Sequence, residues 1–168
     1  MKMVTLKKLK NGMEFTDKKI IFISHSPSKN TKTLSDIVFN TVNSNDLNIN
    51  IELFSPLEIS SESIKKSDGV IIGTTENFGY MAGATKDFFD RCYNELLDNT
   101  QGLPVFYYIR AGLDGEGTVR AIDKILLGLK WRQVLKPIVL KGNWNNNFKN
   151  KVAEASLNFA IGIQEGIY

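Results

Sequence analysis

The sequence predicts an α/β protein with a doubly wound, five-stranded parallel sheet of order 2-1-3-4-5 and helices on both faces. Apolar runs alternate with helix-period segments along the chain, which is typical of βαβ units around a parallel sheet. Three of the runs are continuously apolar, as strands buried on both faces are. The other two runs are alternating or follow a proline, which places them at the edges of the sheet.

The five strands follow from these patterns in chain order. Residues 20–23, 70–72 and 105–109 are the continuous runs and are predicted as strands 1, 3 and 4. Residues 48–53 alternate between apolar and polar, which predicts strand 2 at one edge. Residues 138–140 follow Pro137, which cannot donate to a ladder, so they are predicted as strand 5 near the other edge. The right-handed crossover rule favours the same order.

Helical segments separate the strands. The first helix is predicted to begin near Asn30 and Thr31, where amide and hydroxyl side chains are suitable N-caps. A short helix is expected over residues 61–66. Three further helices carry apolar residues at helical spacing: Phe88, Phe89, Cys92, Tyr93, Leu96 and Leu97; then Val119, Ile122, Leu126 and Leu129; then Val152, Ser156, Phe159, Ala160 and Ile163.

Length indicates a single domain. A chain of 168 residues is close to the roughly 150 residues expected of one domain, and residues 18–168 contain every predicted element. Residues 1–17 are predicted to be an N-terminal extension, in which Asn11-Gly12 suits either a small hairpin or a loose basic arm.

Composition excludes several classes of protein. Cys92 and His25 are the only residues of their types, so neither an internal disulfide nor a structural zinc site is predicted, and we expect a cytoplasmic location. No run approaches the ~20 apolar residues of a membrane span, and no signal peptide is expected. The net charge of +3 is scattered among acids, which does not favour nucleic-acid binding but leaves anionic small molecules as partners.

A ligand is expected beyond the carboxyl ends of the strands, at the switch point between strands 1 and 3. The loops after Ile23, Gly73 and Ile109 meet there. The first loop, residues 24–33, is rich in hydroxyl and amide side chains and leads into a helix N-terminus, whose N–H groups and dipole suit a phosphate. It has neither the Walker A nor the GxGxxG spacing, and the alternative interpretation is that it only caps its helix.

The second loop, residues 73–83, suits a flat ring. Gly73, Gly79 and Gly83 allow close approach of the backbone or a positive φ, while Phe78 and Tyr80 offer flat apolar surfaces. Together the two loops describe a nucleotide-like ligand. The alternative is that the two aromatic side chains pack beneath the loop as a small satellite core.

These residues resemble a known family. The Ser-x-Ser-x-Asn-Thr loop at 26–31 and the Thr-Thr-Glu-Asn-Phe-Gly-Tyr-Met-Ala-Gly segment at 74–83, followed by Lys-Asp-Phe-Phe-Asp-Arg at 86–91, are similar to the flavodoxin-like superfamily. Within it the closer likeness is to the NAD(P)H-dependent FMN reductases. The resemblance extends from residue 18 to residue 168, and the second motif is its specific part.

The resemblance implies an FMN cofactor and assigns residues to its parts. The phosphate is assigned to Ser26, Ser28, Lys29, Asn30 and Thr31. The isoalloxazine is assigned to Thr75, Glu76, Asn77, Phe78, Gly79 and Tyr80, and its other edge to the loop at 111–115, with Gly112, Asp114 and Gly115. No residue is assigned as an acid or base, because the chemistry takes place at flavin N5.

The implied function is transfer of electrons from NADH or NADPH, through the flavin, to a quinone, free flavin or another small acceptor, by a homodimer. One alternative is a non-enzymatic flavodoxin-type electron carrier, although such carriers are strongly acidic and this chain is not. Another is an interaction module without a cofactor. Two departures from the family pattern favour that last alternative: Lys29 stands where many relatives have Gly, and Thr75 where many have Pro.

Five further residues have simpler interpretations. His25 is expected to be a polar loop residue, and Cys92 a buried, inert thiol on the apolar stripe of its helix. Arg110 ends strand 4, where it suits either an anionic flavin or cofactor phosphate or an ordinary surface charge. Trp131 and Trp144 are expected to be packing or interface residues.

Overall fold

The computed structural model describes residues 18–44 and 46–168 of the chain. The predicted extension, with its possible hairpin at Asn11-Gly12, lies outside the described residues. The described part is one sheet, parallel except for one short strand, with helices on both faces, as predicted. None of its helices is both long enough and apolar enough to pass through a bilayer.

The sheet contains the five predicted strands and two short ones. Its strands are β1 (Lys18–Ser24), β2 (Ile49–Phe54), β3 (Gly69–Asn77), β4 (Tyr80–Met81), β5 (Pro104–Ala111), β6 (Arg132–Gln133) and β7 (Ile138–Lys141). The order is β2-β1-β3-β5, and both β6 and β7 pair with the far edge of β5. Predicted strands 4 and 5 are β5 and β7, so the order 2-1-3-4-5 is confirmed.

The two unpredicted strands have local causes. β6 pairs with Pro104 and Val105 at the start of β5, and β7 pairs from Tyr108 onward, so one edge of β5 is covered by two successive segments. Pro137, immediately before β7, has no N–H to continue the ladder across that gap. β4 is antiparallel and pairs with the end of β3. Runs of two residues are too short to be seen in a periodicity pattern.

The helices agree with the predicted segments. They are α1 (Lys29–Ser44), α2 (Ser61–Lys65), α3 (Gly83–Leu97), α4 (Glu116–Gly128) and α5 (Asn147–Gln164). Each joins two strands of the sheet or follows the last one. Their N-termini therefore follow the carboxyl ends of the strands, where a ligand is expected.

The sheet separates two hydrophobic cores, because alternate residues of each strand face opposite sides. On one side Ile21, Ile23 and Ile72 pack with residues of α3 and α4. On the other, Phe22 and Ile71 pack with residues of α1 and α5. The central strands are buried on both faces, which explains their continuously apolar sequences.

Cys92 and the two tryptophans behave as predicted. The Cys92 thiol is buried, and burial raises its pKa, which keeps it in the unreactive protonated form. Trp131 is buried and donates from Nε1 to Oγ1 of Thr100 at 2.8 Å. Trp144 packs edge-on against Phe148, with the ring centroids 5.9 Å apart.

Candidate functional site

The ends of β1, β3 and β5 lie side by side. Ser24 pairs with Gly73, and Gly73 pairs with Tyr108, so the three strands continue to the same level. Beyond β1, the backbone N–H of His25 donates to the Gly73 carbonyl at 2.9 Å. The loops that follow these strands therefore begin at one end of the sheet, as the sequence predicts.

The loop between β1 and α1 caps its helix. The Ser28 N–H donates to Thr31 Oγ1 at 2.9 Å, the Thr31 hydroxyl donates to the Ser28 carbonyl at 2.9 Å, and the two hydroxyl oxygens lie 3.0 Å apart. The Thr31 N–H donates back to Ser28 Oγ at 3.3 Å. The capping interpretation is thus correct for these two residues. It is compatible with anion binding, since Lys29 and Asn30 remain exposed in the first turn.

The electrostatics of this loop favour an anion. The first turn of α1 contains no acidic residue, and its N–H groups have no carbonyl partner within the helix. Lys29 lies at the start of the helix. Lys32, one turn into α1, is exposed, and its Nζ lies 3.5 Å from Oδ1 of Asp36, which is also exposed. Partial burial lowers the pKa of His25, so its imidazole is neutral at pH 7 and does not need an acidic partner.

A groove of about 370 Å³ adjoins this loop on the β2 side. Its lining comes from the loop, from α1 and from the end of β2, and includes Ser26, Lys32 and Leu53. The second predicted loop contributes no lining residue to it. The groove therefore lies across β1 from the position expected for the flat ring.

The second predicted loop is largely a β-hairpin. Residues 73–77 belong to β3, whose Thr74 and Thr75 still pair with β5, and the chain then turns into β4. The prediction of an irregular loop beginning at Gly73 is wrong, because these β-branched residues continue the ladder past the end of β1. The hairpin is fixed to α3 by a buried hydrogen bond of 2.8 Å between the hydroxyls of Thr74 and Thr85.

The turn of the hairpin presents a strained aromatic side chain to solvent. Phe78 and Gly79 both have positive φ, at 53° and 72°, as a two-residue hairpin turn requires. Phe78 is fully exposed and Tyr80 is 42% exposed. The alternative of a satellite core is therefore wrong. Close by in the chain, the Thr75 hydroxyl donates to Asn77 Oδ1 at 2.8 Å.

Glu76 links the hairpin to the third predicted loop. One carboxylate oxygen accepts from the N–H of Leu113 at 2.8 Å, and the other accepts from the N–H of Gly115 at 2.9 Å. Asp114, between them, accepts from the N–H of Glu116, the first residue of α4, at 2.9 Å. The sequence motif suggests a ligand contact for Glu76. In the structure the Glu76 carboxylate holds the β5–α4 loop, while Gly112 and Asp114 are exposed. The contact of Glu76 with the isoalloxazine stays a prediction.

The hairpin also packs tightly on α4. A Cβ atom placed on Gly117 would lie 2.0 Å from the carbonyl oxygen of Gly79, so the backbones of the turn and of the helix are in direct contact. Gly115, with φ of 75°, makes the turn into α4. The second and third loops thus form one assembly. The first loop is joined to β3 by the hydrogen bond from the His25 N–H to the Gly73 carbonyl.

Arg110 has a structural role. Its guanidinium donates to the backbone carbonyls of Ala111, Leu140 and Gly142 at 2.5, 3.0 and 2.6 Å, and its Cζ lies 5.5 Å from the centre of the Phe148 ring. These contacts tie the ends of β5 and β7 together. Arg110 is therefore not an ordinary surface charge, and its contact with an anionic flavin or a cofactor phosphate stays a prediction.

Neither a family model nor a curated protein matches the chain. Solved structures do. A flavodoxin from the domain Archaea superposes with a TM-score of 0.72 at 18% identity, covering 86% of this chain and 98% of that one. The chain has the flavodoxin-like fold. Oxidised flavodoxin 1 from Bacillus cereus gives a TM-score of 0.71 at 16% identity, covering 84% of this chain and 97% of that one.

A protein described as an oxidoreductase also superposes on this chain. That protein, from Corynebacterium diphtheriae, gives a TM-score of 0.67 at 17% identity, covering 88% of this chain and 97% of its own. Identities at this level establish the architecture alone. Function must be argued from the residues at the strand ends, since one fold hosts many activities.

Proposed function

We propose that this chain is an FMN-binding oxidoreductase that takes electrons from NADH or NADPH and passes them to a quinone, free flavin or another small acceptor. The observation that carries the proposal is the arrangement at one end of the sheet. The hydroxyl-rich start of α1 follows β1, and the hairpin with the exposed Phe78 follows the adjacent β3. An anion site beside a flat apolar surface suits a flavin nucleotide.

The residues after β1 fit a phosphate group. Ser26, Lys29 and Asn30 supply a hydroxyl, a cation and an amide, while Ser28 and Thr31 shape the turn of backbone that exposes the helix N–H groups. No acid in the first turn of α1 opposes a dianion. Lys29 departs from the family pattern, but the positive charge that it adds at the start of α1 is itself favourable for a phosphate.

The hairpin fits a planar ring. A bulky residue with positive φ is strained by about 1–2 kcal/mol, and Phe78 has no burial that offsets this cost. Strain of this kind is characteristic of functional sites. Thr75, Asn77, Gly79 and Tyr80 lie along the same hairpin, and Glu76 holds Gly112, Asp114 and Gly115 beside it.

When bound, FMN supplies the redox chemistry, with N5 as the hydride acceptor. The residues of this chain then have three tasks: binding the phosphate, orienting the ring and leaving one face of it open to the electron donor. None of them has to transfer a proton. The fully exposed Phe78 side chain lies at the tip of the hairpin, where it can cover one edge of the ring.

Flavin titration tests the binding half of the proposal. FMN and riboflavin, which lacks the phosphate, are titrated separately and followed by flavin fluorescence. Replacing Ser26, Ser28 and Thr31 together by Ala should weaken FMN binding and leave riboflavin binding unchanged. Ser60→Ala, which removes a hydroxyl cap from α2, serves as the control. FMN binding that survives the triple replacement would show that the phosphate lies elsewhere.

Phe78→Asn tests the ring assignment. Asn tolerates positive φ, so the free energy of unfolding of the variant should equal that of the parent protein or exceed it by up to about 1 kcal/mol. Affinities for FMN and riboflavin should fall by the same factor, because both share the ring. Unchanged affinities would place the ring away from the hairpin.

Anaerobic mixing of the FMN-loaded protein with NADPH, and separately with NADH, tests the activity. Rapid bleaching of the flavin absorbance is expected for the oxidoreductase. An electron carrier would show no bleaching over hours, and a module without a cofactor would not bind FMN at all. The net charge of +3 favours the enzyme, since an acidic surface is what steers a carrier to basic partners.

We further propose that the active form is a cytoplasmic homodimer. In a dimer the partner would cover part of the flavin site, whose aromatic residues Phe78 and Tyr80 are exposed in the single chain. Light scattering after size exclusion, with and without FMN, measures the assembly. A monomer at all concentrations would contradict it.

A further inference from the structure

A buried hydroxyl group lies beneath the proposed phosphate loop. Tyr108 is 3% exposed, and its Oη makes no hydrogen bond of normal geometry with any residue that the structure describes, although the Ser24 side chain lies close enough to affect its pKa. Within residues 18–44 and 46–168, only Thr118 Oγ1 is also buried without such a bond. An unsatisfied buried hydroxyl destabilises a fold by about 1–3 kcal/mol, so its presence needs a reason.

The position of Tyr108 in the sheet directs its hydroxyl towards the loop. Tyr108 pairs with Gly73, and a Cβ atom on Gly73 would lie 2.4 Å from the tyrosine Oη. The phenol therefore lies over the glycine. On the far side of Gly73 stands its other partner, Ser24, the last residue of β1. The absence of a side chain at Gly73 is what allows the phenol to reach towards β1.

Two serine hydroxyls continue the line from Tyr108 to the loop. Ser24, 7% exposed, has its Oγ 2.9 Å from the Oγ of Ser26. Ser26 is half-buried and belongs to the loop before α1. The hydroxyl groups of Tyr108, Ser24 and Ser26 thus follow one another in a row from the core to the proposed phosphate site.

We propose that Tyr108 is a positioning residue for the phosphate: its hydroxyl donates to Ser24, Ser24 donates to Ser26, and Ser26 donates to a phosphate oxygen. This inference rests on the proposed function, since it concerns the same anion site. A hydroxyl both donates and accepts, so the direction of hydrogen-bond donation along this row is set by the groups at its two ends. A phosphate oxygen only accepts, which leaves Ser26 and then Ser24 free to accept from the residue behind.

The chemistry of the phenol suits the buried end. Burial raises the pKa of Tyr108, and the nearby Ser24 hydroxyl opposes part of that rise. The phenol therefore keeps its proton throughout the neutral range and remains a donor. Aligned hydroxyls polarise one another, which strengthens the final bond to the anion.

Tyr108→Phe tests this inference, because it removes one oxygen and keeps the ring. FMN affinity should fall about five- to tenfold, the effect of one lost hydrogen bond, while riboflavin affinity stays within about twofold. The melting temperature of the protein without ligand should stay the same or rise, because an unsatisfied hydroxyl is lost. Inorganic phosphate should raise the melting temperature of the parent protein more than that of the variant.

Tyr107→Phe is the matched control. Tyr107 is the preceding residue of β5, its side chain faces the opposite core, and its hydroxyl donates to Asp123 at 2.6 Å. This variant should melt at a lower temperature and keep the parent ratio of FMN to riboflavin affinity. The same change of ratio in both variants would mean that β5 had shifted, and would overturn the inference.

The outcomes separate the inference from the proposed function. Equal loss of FMN and riboflavin binding in Tyr108→Phe, or no loss of either, would overturn the role of Tyr108 while leaving FMN binding intact. If the parent protein binds neither flavin, the proposed function fails. In that case the rise in melting temperature caused by inorganic phosphate tests the inference by itself. A smaller rise in Tyr108→Phe than in the parent protein supports the inference. An equal rise in both proteins, or no rise in either, refutes it.

Discussion

The contact between the hairpin and α4 yields a quantitative prediction for Gly117→Ala. The new Cβ atom would lie 2.0 Å from the Gly79 carbonyl oxygen, where contacts below 3.0 Å essentially never occur. Both partners are backbone, so the hairpin and α4 must separate by about 1 Å. The Glu76 hydrogen bonds to the N–H groups of Leu113 and Gly115, at 2.8 and 2.9 Å, lie between the same two parts.

The cost follows from those two bonds. A separation of about 1 Å lengthens them to about 3.8 Å, which is beyond hydrogen-bonding distance. Each bond to a charged group contributes about 1.5–3 kcal/mol, and the partial exposure of this site favours the lower value. Alanine in place of glycine in a helix offsets about 1 kcal/mol of this loss, because it has the higher helix propensity. We therefore expect Gly117→Ala to lower the free energy of unfolding by about 2 kcal/mol.

Urea unfolding followed by circular dichroism measures this difference, provided that the slope of the transition stays unchanged. Gly83→Ala is the control, because a Cβ there meets nothing within 4 Å and Gly83 is the first residue of α3. It should leave stability equal or raise it by up to about 1 kcal/mol. A Gly117→Ala protein as stable as Gly83→Ala would refute the close packing of the hairpin on α4.

Three further predictions concern groups outside the proposed flavin contacts. Arg110→Lys should lower the free energy of unfolding by about 1–2 kcal/mol in thermal or urea unfolding, because an ammonium cannot reach three carbonyls at once; equal stability would contradict the role assigned to the guanidinium. Cys92 should react with a thiol reagent at least about 100-fold more slowly in the native protein than in urea, since burial raises its pKa and shields it; a fast native reaction would mean that α3 opens. Burial raises the pKa of both Tyr107 and Tyr108 in the folded state, so the free energy of unfolding does not depend on their titration below about pH 10 and falls above it by about 1.4 kcal/mol per pH unit for each; urea midpoints at increasing pH measure the loss, and the Tyr107→Phe, Tyr108→Phe double variant should show a shallower slope.

Sequence patterns predicted the architecture because the signals are local. The continuous apolar runs of β1, β3 and β5 reflect burial on both faces, and the alternation in β2 reflects its single covered face. Helix starts were similarly visible in the hydroxyl-rich segment before α1. The extension of β3 to Asn77 was missed, because threonines in a sequence with glycines suit a loop as well as a strand.

The sequence predicted which loops begin at this end of the sheet, and it was less informative about the contacts that their side chains make. The motif correctly suggested that Phe78 lies outside the core. It gave no sign that Glu76 would accept two backbone N–H groups from a loop 37 and 39 residues further along the chain. An acid followed at some distance by a Gly-rich turn is the only signal, and it is too common to be informative.

The sequence by itself determined which segments form strands and helices, which strands are central, and which turns carry hydroxyls or aromatics. Each of these properties depends on neighbours within a few residues. Tertiary structure alone decided that Tyr108 is buried without a hydrogen bond of normal geometry beneath the first loop, that Arg110 joins β5 to β7, and that Gly117 touches Gly79. Such contacts depend on strand register and helix docking, which bring distant residues together to within ångströms and leave no periodic trace in the chain.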